Sequence, residues 1–212
     1  DWAIVQGKCK EENPARWKGH LSELLPAPNK IKAEKHMPAL PYQEIGAFIP
    51  LLRKREGVAA RNLEFEILTC TRPGEAIKAC WSEVNLTERT WIIPAERMKA
   101  GKEHRIPLSK QALEILEAQP RIENNDYIFT NPNKTSHLSN GAVLSLLKRM
   151  DYKHITAHGF RSTFRDWAAE QTSYPSEMAE MALSHAISSK VEAAYRRGDM
   201  LEKRFRLMQS WA

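Results

Sequence analysis

The segment that most restricts this chain is residues 59–70, AARNLEFEILTC, where Leu63, Phe65, Ile67 and Leu68 spread apolar surface over more than one side of a helix. Such a helix has to be covered from several directions, so the segment predicts a central, buried helix with a domain wrapped around it. The flanking sequence supplies the cover. Ile45, Phe48, Ile49 and Leu52 follow an i, i+3, i+4, i+7 pattern. Further helices are predicted near 109–118 (Ala112, Ile115, Leu116), 140–150, 158–171, 176–184, 189–197 and 199–211, the last with a stripe of Leu201, Phe205 and Met208. Thr90–Pro94 and His104–Leu108 are short, rich in Ile, Thr and Trp, and predict a hairpin that turns around Ala100-Gly101. A short strand is also expected at Tyr127–Thr130, followed by an Asn/Pro/Ser-rich loop at 131–139. The fold class is therefore α+β, mainly α, with one small antiparallel β-sheet.

What precedes the domain is too short to own a core. Residues 1–25 end in ARWKGHLSELL, an amphipathic stretch in which Leu21, Leu24 and Leu25 would share a helical face. Pro26 and Pro28 then break any helix, while Lys30, Lys32 and Lys35 add charge, so 26–37 is expected to be an interdomain linker. A basic linker is usually solvated, and it can also track a phosphate backbone. The chain begins at Asp1 without a methionine and is expected to be a piece of a longer protein. Thirty-two Lys and Arg against 26 Asp and Glu leave a net charge of +6, which suits a polyanionic partner, nucleic acid first. Charged residues interrupt every apolar run short of the roughly 20 residues a spanning helix needs, so no membrane role is expected. Cys9, Cys70 and Cys80 are scattered without metal-ligand spacing and read as free thiols in a reducing cytoplasm.

Four common chemistries find no support. The chain has neither a GxGxxG nor a GxxxxGK phosphate loop, no GxSxG elbow and no HExxH pair. Its carboxylates are too scattered to motivate a two-metal nuclease. A cationic and aromatic segment stands out instead, His158-Gly-Phe-Arg161 with Arg165 one turn on. On a helix, His158, Arg161 and Arg165 share one face, and Phe160, Phe164 and Trp167 fall on the other. On the residues alone this is either a solvated basic face, the commoner case, or a phosphate clamp, since a guanidinium fork matches two phosphate oxygens. Arg72 sits at the end of the buried helix, immediately before Pro73-Gly74, where a fixed elbow would hold it; alone it reads as a surface cation paired with Glu75. His185 and Tyr195 lie ten positions apart in SHAISSKVEAAYRRGD.

Taken in order, these residues resemble the tyrosine recombinases, nearest to phage and genomic-island integrases. The likeness rests on Arg72 in TRPGE, a lysine in a hairpin, HxxR, LSH and a tyrosine in AAYRRGD, with NPARWKGHLSELLP, RMKAGKEHRIPLS and HGFRSTFRDWAAE alongside. It covers the whole chain: residues 1–25 look like the tail of a core-binding domain and 38–212 like a catalytic domain of the DNA breaking-rejoining fold, with the arm-binding domain of such integrases absent. The resemblance implies site-specific DNA recombination through a 3′-phosphotyrosine link, with no metal and no other cofactor, in the cytoplasm on the bacterial nucleoid. It gives Tyr195 the nucleophile's role, and Arg72 and Arg161 the clamp on the non-bridging oxygens. His158 would be the acid/base histidine and His185 the second phosphate-bonding group. Lys99, with Lys102 as the alternative, would be the general acid, and Glu75 a buttress for Arg72. Lys30, Lys32, Lys35, Lys102 and Arg165 are candidate contacts to the DNA backbone. Many relatives read LGH where this chain has Leu183-Ser184-His185, and a small residue is expected to suffice there. The implied partners are double-stranded attachment sites, three further copies in a homotetramer on DNA (a monomer when free) and host DNA-bending proteins. Three other readings compete: a type IB topoisomerase, a DNA-binding module that has lost catalysis, and a metal-dependent nuclease.

Overall fold

The structure is a computed structural model and describes residues 2–9, 13, 15–26, 37–185 and 198–212. The chain divides into two compact units, Asp1–His36 and Met37–Ala212. Within the first, short helical turns at Trp2–Val5, Trp17–Leu21 and Ser22–Leu24 bury no residue. Lys18 is extended there and Gly19 left-handed, so the amphipathic stretch ending at Leu25 is cut into single turns. Lys30, Lys32 and Lys35 lie outside the described residues.

In chain order the second unit contains α1 (Ile45–Arg53), α2 (Val58–Thr69), α3 (Pro73–Ile77), β1 (Val84–Asn85), β2 (Thr90–Ile93), β3 (His104–Pro107) and α4 (Lys110–Glu117), then α5 (Asn140–Arg149), α6 (Gly159–Gln171), α7 (Ser176–Ala182) and α8 (Leu201–Trp211). The central helix forms as its apolar spread requires, and every residue from Asn62 to Thr69 is buried. Ala60, Leu63 and Ile67 pack toward Phe48 and Leu52 of α1, Val143 and Leu147 of α5 and Phe160 of α6. From the other side Phe65 and Leu68 meet Trp91, Ile93 and Ile106 of the sheet and Ala112 and Leu116 of α4. One helix thus closes two cores, and each fully buried large side chain contributes roughly 1.5–3 kcal/mol of transfer free energy.

The sheet has the order β1-β2-β3, antiparallel throughout. Trp91 stands opposite Ile106 and Ile93 opposite His104, so alternate positions of both strands face the core. The predicted hairpin is present, and β1 adds a third strand of two residues that sequence periodicity does not reveal. The strand expected at Tyr127–Thr130 does not form. Its main chain is shared between partners: Ile128 N–H donates to Ala79 O at 2.9 Å, and Phe129 O accepts from Leu138 N–H at 2.7 Å, leaving only single bridges at Tyr127 and Thr130.

Two further features fix the framework. Gly159 opens α6 against the start of the unit, where a Cβ would stand 2.2 Å from Pro38 O and 2.8 Å from Ala39 Cα. Thr163 Oγ1 adds a 2.6 Å bond to Leu40 O. On α8 the buried face is Arg204, Leu207 and Met208, whereas Leu201 and Phe205 are half-buried on its flank. The expected stripe is therefore rotated, because the core position goes to an arginine whose polar needs are met. Arg204 is 1% exposed and donates to Arg105 O at 2.8 Å, Asp199 O at 2.8 Å and Asp199 Oδ2 at 3.1 Å. The helix predicted at 189–197 lies outside the described residues. Among the described residues no helix is long and apolar enough to cross a membrane.

Candidate active site

The elbow after α2 is built by three local devices. Cys70 ends the helix in the left-handed region at φ 55°, ψ 24°. Arg72 is extended at φ −74°, ψ 147°, and Pro73 begins α3 at the position where a missing N–H costs nothing. Glu75 then reaches back: its carboxylate accepts from Arg72 N–H at 2.9 Å and from Arg72 Nη1 at 2.8 Å. Arg72 is thus held at its main chain and at its guanidinium by one carboxylate.

Arg161, on α6, is only 5% exposed. It is therefore not part of a solvated basic face. Nη1 donates to Cys70 O at 2.5 Å and Nη2 to Leu183 O at 2.5 Å, and Nη2 also lies 3.1 Å from His185 Nε2. Arg72 Nη2 reaches the next carbonyl, Ser184 O, at 3.2 Å, and His104 Nε2–H donates to the one before, Ala182 O, at 3.3 Å. Three side chains from β3, α6 and the elbow thus converge on three successive carbonyls at the C-terminal end of α7, where a helix presents unpaired oxygens and partial negative charge. Each guanidinium carries five N–H donors, more than the contacts it makes among the described residues, so both keep donors for an incoming anion.

His185 is oriented from its far side. Its Nδ1 lies 2.6 Å from Glu180 Oε2, and the same carboxylate also accepts from Arg165 Nε. Nδ1–H toward a carboxylate leaves Nε2 as the acceptor for Arg161 in the neutral ring. Burial works to raise the Glu180 pKa, but the hydrogen bonds from Arg165 and His185 override it and lower the pKa. At His158, which immediately precedes α6, burial and then the charges of Arg161 and Arg72 lower the pKa, so the ring stays neutral and is able to accept a proton at neutral pH. Arg161 is itself pushed down by burial and by Arg72, the signature of a cation short of counter-charge. Glu66, beneath the site on α2, opposes that shift less than Cys70 and Glu75 do. Among the described residues neither carboxyl oxygen of Glu66 has a hydrogen-bond partner, and burial raises the pKa to about 8, Arg161 opposing and Glu75 adding to the shift.

His104 and Glu180 escape sequence inspection. His104 looks like one more core-facing strand residue, and Glu180 like an ordinary helix carboxylate. The spacing of Glu180 five residues before His185 is the one available signal. His104 gives the site a measurable acid sensitivity. Burial, then the charge of Arg204, lower its pKa to about 4, against the ordinary 6.5. Between those values the unfolded chain binds a proton that the folded chain excludes, so stability is lost as the pH falls from 6.5 toward 4, by up to about 3 kcal/mol. Urea unfolding at pH 7 and pH 4.5 is expected to show this loss, and His104→Gln to reduce it. An unchanged acid dependence in that variant would place the sensitivity elsewhere.

The remaining candidates lie as follows. Lys99 and Lys102 are both exposed in the β2–β3 connection, and a turn closed by Gly101 N–H donating to Met98 O at 3.0 Å carries Lys99. Arg165 is committed to Glu180. Tyr195 lies outside the described residues. Among the described residues no group of three or more His, Cys, Asp or Glu is placed to hold a metal ion.

Comparison with known proteins decides the family. The model of the phage integrase family matches residues 44–202, three quarters of the chain and every candidate site residue from Arg72 to Tyr195. This chain belongs to the phage integrase family. Prophage integrase IntA of Escherichia coli K12 is 34% identical over 202 residues, covering 91% of this chain and 49% of that protein. Prophage integrase IntZ of the same organism is 33% identical over 186 residues, covering 86% and 46%. The chain thus spans about half the length of these two integrases. Among solved structures, the integrase of mycobacterium phage Brujita superposes with a TM-score of 0.62 at 18% identity, covering 100% of this chain and 67% of that one. A lambda integrase dimer bound to a COC′ core site gives 0.60 at 19% identity, covering 88% and 67%. The fold is that of a tyrosine recombinase catalytic domain, mainly helical with its small antiparallel sheet.

Proposed function

We propose that this integrase chain is the catalytic part of a site-specific recombinase that integrates or excises a phage or genomic island by cutting and rejoining DNA strands through a 3′-phosphotyrosine at Tyr195. The observation that carries the reading is the convergence of two guanidinium groups and His185 at one helix end: Arg161 and Arg72 on the carbonyls of Leu183 and Ser184, with His185 Nε2 3.1 Å from Arg161. A phosphodiester placed there exchanges carbonyl contacts for charge-assisted ones. In-line attack by the Tyr195 oxygen forms a P–O bond to the phenol and breaks the P–O5′ bond. Charge building on the non-bridging oxygens is met by Arg72 and Arg161. His158, kept neutral, takes the phenolic proton, and His185, with its Nδ1–H on Glu180, donates to the phosphate from Nε2 in the ring form that carries a proton there as well. Lys99, or Lys102 in its place, gives a proton to the departing 5′ oxygen. Glu75 orients Arg72. The new diester conserves the energy of the old one, so rejoining is the same step reversed, and the cations present supply the charge stabilisation without a metal.

The division into two compact units at His36/Met37 supports a domain plan in which 1–25 is the tail of a core-binding domain, 26–37 a linker and 38–212 the catalytic domain. The partners proposed are duplex attachment sites and further copies of the chain in a tetramer on DNA; lambda integrase has been solved as a tetramer on a Holliday junction. Host DNA-bending proteins are a further proposed partner, and the bacterial nucleoid is the proposed place of action.

The test is covalent. The chain is incubated with a nicked duplex, selected from a random-sequence pool by adduct formation, in excess EDTA. A protein–DNA adduct whose peptide maps to residue 195 is expected. An adduct that disappears on chelation, or that maps to another residue, would overturn the mechanism.

A further inference from the structure

Arg97 belongs to none of the groups assigned above, yet it is bonded to one of them, Glu75, and stands two residues before another, Lys99. It closes the short turn Ala95–Arg97 after β2, and its guanidinium spans a gap between two separate supports. Nη1 pairs with the Glu83 carboxylate, and Nη2 donates to the main-chain oxygen of Glu75 at 2.9 Å. Glu83 is itself fixed, because it accepts from Trp91 Nε1–H at 3.0 Å and from Cys80 N–H at 3.2 Å, and Trp91 is fully buried. Glu75 is the residue whose carboxylate holds Arg72. One residue therefore serves two arginines: its side chain holds Arg72, and its carbonyl holds Arg97.

The chain after Arg97 carries the consequence. Met98 is 5% exposed and packs into the sheet-side core. Lys99 comes next, at the second position of the turn that Gly101 N–H closes on Met98 O. Lys99 thus stands one residue beyond a buried anchor and two beyond a guanidinium bolted to the Arg72 platform. Lys102 lies past Gly101, whose φ of 61° turns the chain, and has no such base among the described contacts.

We propose that Arg97 is a positioning residue for the general acid: it fixes the turn carrying Lys99 to the platform carrying Arg72, so that proton donor and phosphate clamp keep one spacing. The inference rests on the reading of Lys99 as the acid, and the test separates the two. It uses the selected nicked duplex in two versions, with oxygen or with sulfur bridging the scissile phosphorus to C5′. With oxygen, attack by the tyrosine oxygen expels a 5′-alkoxide that needs a proton. With sulfur, the P–S bond breaks and a thiolate leaves, which is far less basic than an alkoxide and needs no acid; a thiol such as cysteine's has a pKa near 8.5.

Lys99→Ala is expected to slow cleavage of the oxygen substrate by about 100-fold or more, the low end for a lost general acid. It should cut the sulfur substrate at close to the parent rate. Arg97→Leu is expected to show the same pattern at smaller amplitude, roughly 30-fold on oxygen, since a misplaced reacting group costs up to about 100-fold. Equal slowing of Arg97→Leu on both substrates, while sulfur rescues Lys99→Ala, would assign Arg97 to the clamp or to folding and overturn the inference, leaving Lys99 as the acid. No slowing on oxygen would also overturn it. Failure of sulfur to rescue Lys99→Ala would remove the acid reading and this inference with it. Should Arg97→Leu fold poorly, Arg97→Lys carries the same comparison, because one ammonium keeps the charge but cannot bridge Glu75 O and Glu83.

Discussion

Tyr195→Phe is expected to abolish the covalent protein–DNA adduct while leaving non-covalent DNA binding within about twofold of the parent. The substitution removes one oxygen atom and almost no volume, so folding and the cationic surface are preserved. What it removes is the only atom proposed to attack phosphorus. Knocking out a covalent nucleophile costs on the order of 10⁴- to 10⁶-fold, because the groups that remain still bind and polarise the substrate but have nothing to deliver. A phenol with a pKa near 10 is mostly protonated at pH 7, so the proposed reaction relies on His158 and on the surrounding cations, and none of those groups would substitute for the missing oxygen. Denaturing gels after overnight incubation measure the adduct, and fluorescence anisotropy measures binding. Adduct at the parent level in the variant would assign the nucleophile to another residue.

The second large effect is expected from Arg161→Ala, and it should appear in two independent measurements. In cleavage, loss of one preorganised donor to a developing oxyanion costs about 10²- to 10³-fold. In stability, the same change strands Cys70 O and Leu183 O, each now bonded at 2.5 Å. Leaving a buried acceptor unpaired costs about 1–3 kcal/mol, so a loss of roughly 3 kcal/mol is expected. That corresponds to a fall in Tm of roughly 10 °C for a chain of this size. Arg161→Lys should keep part of the rate through its charge and recover little of the stability, since an ammonium cannot reach both carbonyls. Thermal denaturation and the adduct rate report the two effects separately. A Tm unchanged in the alanine variant would mean that Arg161 does not tie α2 to α7.

Much of this was legible in the sequence, and the exceptions share a cause. The α2 core is visible because Leu63, Phe65, Ile67 and Leu68 advertise it locally, and the hairpin because Trp91 and Ile106 sit in short β-rich runs. HxxR and TRPGE mark the candidate site in the same direct way. The burial of Arg161 is not visible, because its partners are main-chain oxygens 91 and 22 residues away, and a carbonyl leaves no trace in a residue code. Arg204 misleads for the same reason: it occupies a core position that an apolar count gives to Phe205. Tyr127–Thr130 has the composition of a strand but no continuous partner to pair with. At Ser184 the expectation of a small residue is too loose. Its φ is 51°, so the constraint is the left-handed backbone, where glycine in LGH is unstrained and a side chain costs about 1 kcal/mol.

The three carbonyls at the end of α7 have one further consequence. Because His104, Arg161 and Arg72 come from segments far apart in the chain yet hang from adjacent peptide groups, none of them can detach without loosening the others' shared support. Local opening in proteins proceeds in cooperative units, and units held by common anchors exchange their amide hydrogens together. The end of α7 is therefore the keystone of such a unit. The elbow, the strand and the arginine helix should protect their amides as one block, and the site should be lost or recovered whole.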